Sequence, residues 1–299
     1  MITKPTVLIL GAGASAHCGY PLGGDLVNRL CALRGKPELD NLPQDWTRND
    51  AEKFLTRLSR SDHTSIDAFL EENLDQAPLG KFLIAREMKK LENIDHLFPP
   101  SDSGWYQDLF NKIFSEGPKF SENKIGIVTF NYDRSLEAYL HTRLQYKMSE
   151  IEATNILKEL PIVHVYGILG EYPTFPYQTQ CDVSDLLKIS QQIQIVHEIK
   201  ERDGNFCNPM FERAHQMLES AMNIYFLGFG FHRDNVRRFQ FFMPESIKGK
   251  SLRATIRGLG LVEYQDLMKD LAEFGFSPTL LPLNQRNCND FFQNVVHLE

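Results

Sequence analysis

The chain has 299 residues, of which 42% are hydrophobic and 24% charged, so it can bury a large apolar core. Its 32 basic and 39 acidic residues give a net charge of −7, which argues against nonspecific binding to a nucleic-acid backbone. No apolar stretch approaches the ~20 residues needed to cross a bilayer, and the chain does not open with a signal-peptide pattern. We therefore expect a cytoplasmic protein without membrane contact.

The chain opens with a short apolar run, residues 6–10, that predicts a buried strand. A turn follows directly, with the sequence Gly11-Ala12-Gly13-Ala14-Ser15. Backbone N–H groups in such a turn, together with a helix N-terminus, can bind phosphate. Two glycines after a strand also occur merely to make a tight turn, and the third glycine of the dinucleotide-binding fingerprint is absent.

A helical insert is predicted between the first two strands, at about residues 25–120. Helical periodicity begins at Leu22 and stops near Gly35. Further helices are predicted over residues 50–60, 65–75, 78–97 and 104–115. Their apolar stripes are typical of core or partner-facing surfaces.

The next apolar run, residues 125–128, leads into Thr129-Phe130-Asn131-Tyr132-Asp133. This places Asn131 at the C-terminal end of a buried strand, where open parallel sheets bind their ligands. Its amide offers a donor and an acceptor to a hydroxyl or a water. Asp133 is predicted to bond a hydroxyl, to pin the loop, or to cap the helix that starts at Arg134, whose amphipathic pattern covers residues 136–144.

Two later apolar runs also end in polar and glycine residues. Residues 161–165 lead into His164-Val165-Tyr166-Gly167, and alternation along a strand would place the side chains of His164 and Tyr166 on one face. Residues 223–227 lead into a loop with Gly228, Gly230 and Asp234. Four such strand ends predict a single crevice that holds a nucleotide. A helix over 235–242, a strand over 251–256, a helix over 261–274 and a strand over 279–283 follow.

In this order the motifs resemble those of the sirtuin-like family, whose NAD-binding core carries GAG[IFA]S, T-x-N-x-D, a histidine beside a glycine, and G-x-[GS]. The stretch Ser65-Ile66-Asp67-Ala68-Phe69-Leu70 also resembles the helical insert of its bacterial antiviral-defence branch. The resemblance implies one α/β domain over residues 1–299, with a Rossmann-like parallel sheet core. It also implies the insert at about 25–120 and a second insert at about 170–220.

The resemblance further implies an NAD glycohydrolase, with NAD as substrate, that depletes NAD during phage infection. Asn131, Asp133, His164 and Tyr166 would be the catalytic residues. The implied NAD-binding residues are Gly11, Ala12, Gly13, Ala14, Ser15, Thr129, Gly228, Gly230 and Asp234. The implied assembly is a homo-oligomer with a protein partner such as a HerA-like ring ATPase, another ATPase or an Argonaute-type protein.

The catalytic base stays open, because family members place a histidine directly before the glycine and this chain has Tyr166 there. His164 could serve from two residues away, or Tyr166 if its pKa were strongly perturbed. A third alternative is a catalytically weak subunit that binds NAD or a related nucleotide.

The five cysteines, at positions 18, 31, 181, 207 and 288, form no C-x-x-C pair. Protein-deacylating sirtuins usually hold a zinc module on two such pairs, so we expect no zinc-ribbon module and no metal. An NAD-dependent protein deacylase is therefore the less favoured activity.

Overall fold

The computed structural model describes residues 1–99, 104–114, 122–195, 209–231, 250–255, 260–273, 279–280, 287–294 and 298. Its centre is a six-stranded parallel sheet with the strand order β3-β2-β1-β4-β5-β6. The strands are β1 (Thr6–Leu10), β2 (Ile125–Thr129), β3 (Ile162–His164), β4 (Asn223–Leu227), β5 (Ser251–Ala254) and β6 (Thr279–Leu280).

The apolar runs form strands that are covered on both sides. All five residues of β1 and all five of β2 are buried. Near-continuous apolar strands of this kind are typical of parallel sheets with helices over both faces. The predicted α/β fold with a Rossmann-like parallel sheet is thus confirmed.

The strand register brings the important strand ends together. Leu10 pairs with Thr129 on one side and Leu227 on the other, and Thr129 pairs with His164. Because β1, β2, β3 and β4 end at the same level, the loops that follow them share one edge of the sheet. The chain builds outward from β1 to β3 and then returns to place β4 on the other side of β1. This reversal is the switch point at which open α/β sheets bind ligands.

Helices fill the connections between strands. Within the described residues, six α-helices lie between β1 and β2 and form the helical insert: α1 (Gly23–Cys31), α2 (Arg48–Ser59), α3 (Ile66–Glu72), α4 (Ala77–Lys89), α5 (Ile94–Leu97) and α6 (Gly104–Phe114). The remaining helices of the described ranges are α7 (Ser135–Gln145), α8 (Glu150–Glu159), α9 (Val183–Ser190), α10 (Pro209–Ser220), α11 (Leu261–Glu273) and α12 (Cys288–Asn294).

Several boundaries differ from the sequence prediction. The helix expected over 78–97 is two helices, α4 and α5, and the helix over 65–75 ends at Glu72 and continues as a 3-10 turn over Leu74–Gln76. Helix α8 was not predicted, although Ser149 and Glu152 form a capping box at its start. The helix predicted over 235–242 lies outside the described residues.

A buried charge cluster joins the helical insert to the core. Arg134, directly after Asp133, and Glu92 of the insert have fully buried side chains, and their charged atoms lie 2.7 Å apart. Lys89 pairs with the other side of Glu92. The Arg134 guanidinium also donates to the carbonyl oxygens of Gly170 and Pro176, at 3.1 and 3.2 Å. The insert, the loop after β2 and the loop after β3 are therefore held at one point.

In the part of the chain that the structure describes, no helix is both long enough and apolar enough to cross a bilayer.

Candidate functional site

The glycine turn after β1 packs directly against the loop after β4. Gly13 N donates to Gly228 O at 2.9 Å, and Gly11 N donates to Leu227 O at 3.0 Å. Gly228 has a φ of 58°, and a Cβ there would lie 2.0 Å from Ala14 N. These glycines thus permit a backbone contact that any side chain would block.

This packing limits how the turn could hold a diphosphate. The N–H groups of Gly13 and Ala14 already donate, to Gly228 O and to Gly11 O. In this structure these two amides are therefore not available to a phosphate. The turn continues as two 3-10 turns, Ala12–Ala14 and Ala16–Cys18, and the first α-helix begins only at Gly23. The first α-helix therefore begins where the sequence predicted it, directly after Leu22, so the partial charge of its N-terminus does not lie at the turn itself.

Hydrogen bonds within the protein fix the side chain of Asn131 and leave only its acceptor, Oδ1, for another group. Its Nδ2 donates to Gly11 O at 3.0 Å and to Ser15 Oγ at 3.3 Å, which uses both amide hydrogens. Its backbone N–H donates to Thr129 Oγ1 at 3.1 Å. Within the described residues, Asn131 Oδ1 has no hydrogen-bond partner. The side chain therefore offers an oriented acceptor to a group that donates, such as a hydroxyl or a water.

Asp133 is buried and ties three segments together. Its Oδ2 accepts from Ser15 Oγ at 2.7 Å, and its Oδ1 accepts from Ser135 N at 3.1 Å and from the Ser135 hydroxyl. Tyr106 of the insert lies 2.7 Å from the same hydroxyl. Burial raises the pKa of Asp133, although the hydrogen bonds from Ser135 and Ser15 oppose this rise. Its contact with Ser135 N fits the helix-capping alternative.

Both ring nitrogens of His164 face hydrogen-bond acceptors. Nδ1 lies 2.9 Å from the main-chain oxygen of Asn131, and Nε2 lies 2.6 Å from Glu137 Oε1. Burial by itself would lower the pKa of His164, but the Glu137 carboxylate, these hydrogen bonds and the charge of Asp133 raise it above its usual value. When it is protonated, His164 can donate to both acceptors at once.

Tyr166 does not share a strand face with His164, so that expectation is wrong. β3 ends at His164, and Val165 and Tyr166 lie in a turn in which Gly167 N donates to His164 O at 3.3 Å. The ring of Tyr166 packs edge-on against Phe130 and Phe211, with centroids 5.5 and 6.1 Å apart. The two candidate bases therefore lie in different surroundings.

The helical insert forms one wall of the site. Trp105 Nε1 of α6 donates to Ala14 O at 2.8 Å, which ties the insert to the glycine turn. The Tyr132 hydroxyl, beside Asn131, donates to Asp67 of α3. Asp67 belongs to the stretch whose sequence resembles the family insert, so the two quoted motifs touch each other.

The structure thus joins six of the predicted residues by pairwise hydrogen bonds and glycine contacts: Gly11, Gly13, Ser15, Asn131, Asp133 and Gly228. Thr129 and His164 are bonded directly to Asn131. Gly230 lies two residues beyond Gly228 and is exposed. Asp234 lies outside the described residues. Within the described ranges, no group of three or more His, Cys, Asp or Glu side chains is arranged to hold a metal ion.

Three residues of the site were not predicted from the sequence: Glu137, Ser135 and Trp105. An acidic residue in the first turn of a helix is ordinarily explained by its favourable interaction with the helix dipole. Glu137 fits that explanation, so this position alone gave no reason to place it in the site. Its spacing from Asn131, on the helix that follows the T-x-N-x-D motif, was the available signal. Nothing local to Trp105 indicates its contact with Ala14, because 91 residues separate the two.

Comparison of the chain with models of protein families and with curated protein sequences gives no match. The resemblance to the sirtuin-like family therefore rests on the motifs quoted above.

Proposed function

We propose that the protein is an NAD glycohydrolase that hydrolyses the bond between nicotinamide and ribose. The observation that carries the proposal is the fixed amide of Asn131. It follows β2, beside the end of β1 at which the strand order reverses, is held by Gly11 and Ser15, and presents a single acceptor. A ribose hydroxyl or an attacking water is the kind of group such an acceptor would orient.

The reaction requires little from the protein beyond orientation. The glycosidic C–N bond breaks, its electron pair neutralises the nicotinamide ring, and the ribose passes through a cation-like state. Water then forms the new C–O bond and loses one proton, giving ADP-ribose, nicotinamide and H⁺. Asn131 Oδ1 would hold the water or the neighbouring hydroxyl in place, and His164 or Tyr166 would assist the proton transfer.

A second candidate function is binding of NAD or a related nucleotide without turnover. The observation that favours it is the geometry of His164, since both ring nitrogens face acceptors within the protein and neither is turned toward a substrate. For His164 to act as the base, Glu137 or the carbonyl of Asn131 would first have to give up its contact. The geometry therefore supports a fixed substrate site more directly than it supports a base.

A nicotinamide-release assay separates these functions. The chain is incubated with NAD, with and without an acetylated peptide, beside the Asn131→Ala variant, and NAD binding is measured by calorimetry. Release without peptide that is lost in Asn131→Ala supports the glycohydrolase. Binding without release supports the second candidate, and release only with peptide would indicate a deacylase.

The family resemblance extends the proposal to the setting of the reaction. In the extended proposal, the protein acts in the cytoplasm as an effector of bacterial antiphage defence and has no zinc-ribbon module. It assembles as a homo-oligomer with a partner such as a HerA-like ring ATPase. A purified chain that is strictly monomeric and fully active alone would contradict control by assembly.

A further inference from the structure

Glu137, in the first turn of α7, reaches the site through His164. Its Oε1 lies 2.6 Å from His164 Nε2, and the two side chains are only 10% and 9% exposed. The opposite ring nitrogen of His164 lies 2.9 Å from the main-chain oxygen of Asn131. A continuous chain of contacts therefore runs from the Glu137 carboxylate to the backbone of Asn131.

The chemistry of this chain of contacts depends on protonation. A carbonyl oxygen can only accept, so Nδ1 must carry a hydrogen to bond Asn131. A carboxylate also accepts, so the bond to Nε2 is strongest when that nitrogen carries a hydrogen too. Both bonds form together when His164 is an imidazolium. A neutral ring keeps one hydrogen and must weaken one of the two bonds.

We propose that Glu137 is a positioning residue that holds Asn131 in place through the imidazolium of His164. Asn131 is thereby held twice, with its side chain fixed by Gly11 and Ser15 and its backbone by His164. The role of Glu137 in turnover rests on the proposed function, whereas its effect on the position of Asn131 does not.

The arrangement makes the site sensitive to pH. The charged groups that act on His164 are Glu137 from α7 and Asp133 from the loop after β2, and both favour the imidazolium. Because the pKa of His164 is raised in the folded protein, both bonds are present below its usual pKa. One of them is lost as the pH rises through the raised value, and because a hydrogen bond to a carboxylate is the stronger of the two, the lost bond is the one to Asn131 O. The hold on Asn131 should therefore weaken on the alkaline side.

The test replaces Glu137 with glutamine, which keeps the size of the side chain and removes its charge. NMR of the imidazole nitrogens follows the titration of His164, and the side-chain amide signal of Asn131, assigned by its loss in Asn131→Asp, follows its position. We expect the His164 titration to move to lower pH in Glu137→Gln and the Asn131 amide signal to shift with it. Glu159→Gln, at an exposed glutamate of α8, is the matched control and should change neither.

Turnover supplies a second readout. We expect kcat/KM of Glu137→Gln to fall by about tenfold above the usual pKa of histidine and to recover most of this loss below it, with Glu137→Asp retaining more activity. A loss of kcat/KM that is equal at all pH values would overturn the proposal. So would an Asn131 amide signal that does not shift as His164 titrates. If the wild type releases no nicotinamide, the proposed function fails, but the NMR test still decides the role of Glu137. If Glu137→Gln does not fold, the wild type alone decides: the proposal requires its Asn131 amide signal to shift as His164 titrates.

Discussion

Replacement of Asn131 by alanine should affect both catalysis and stability, and for separable reasons. The change removes Oδ1, which accepts no hydrogen bond within the described residues and which would orient the substrate in the proposed function. It also removes the two Nδ2 hydrogen bonds, to Gly11 O at 3.0 Å and to Ser15 Oγ at 3.3 Å. Catalysis should suffer through the first loss and folding through the second.

The magnitudes follow from these contacts. A hydrogen bond contributes about 0.5–1.5 kcal/mol net, so the two bonds of the half-buried Asn131 together contribute about 1–3 kcal/mol. Melting temperatures of mid-sized proteins fall by ~2–4 °C for each kcal/mol, which predicts a decrease of several degrees in Tm. Loss of an oriented acceptor at the reacting centre should reduce NAD cleavage by roughly 10² or more.

Asn123→Ala is the matched control for this experiment. Asn123 is also half-buried, and its contacts include a hydrogen bond donated to Ile113 O at 3.0 Å and one accepted from Ile2 N at 2.8 Å. It precedes β2, at the opposite end of the sheet from the site. Thermal melts should show similar losses for both variants, and nicotinamide release should fall only in Asn131→Ala. Turnover of Asn131→Ala within a few-fold of wild type would refute its role in the reaction.

Three further predictions test the base, the metal and the loop contact. If His164 is the base, His164→Ala should cost roughly 10² or more in turnover and Tyr166→Phe much less; the reverse order would assign the proton transfer to Tyr166, and the double mutant tests for a relay. Purified protein should contain less than one equivalent of zinc by elemental analysis and keep its melting temperature after chelation; stoichiometric, tightly bound zinc would revive the deacylase alternative. Gly228→Ala should destabilise the protein much more than Gly35→Ala, because both residues have positive φ, but only at Gly228 would the new Cβ meet backbone, 2.0 Å from Ala14 N. Equal losses in thermal melts would mean that the close approach of the loops is not formed in solution.

The strands and their polar ends could be predicted because that information is local. Apolar runs mark β1, β2 and β4 directly, and the parallel arrangement then brings their final residues to one edge. Asn131 and the glycine turn could therefore be expected to lie close together, and Asn131 does donate to Gly11 O.

The detailed roles within the site depend on tertiary contacts that no local pattern contains. The availability of the Gly13 amide is decided by Gly228, and the protonation of His164 by Glu137. The alternation of side chains along a strand predicted that Tyr166 shares a face of β3 with His164, but the strand ends at His164 and the chain turns there. The turn requires Gly167, which has a φ of 82°, and a Cβ there would lie 1.8 Å from Gln192 O.

The buried pair of Arg134 and Glu92 has a consequence for how this chain can be shortened. Glu92 belongs to the helical insert, whereas Arg134 directly follows the Asn131 loop, and both side chains are fully buried. Removing one partner of such a pair leaves an uncompensated charge at a cost of about 3–5 kcal/mol, a large part of the 5–15 kcal/mol that holds a typical domain folded. Deletion of the insert would therefore require a simultaneous change at Arg134. A shortened fragment should therefore keep the insert and the core together.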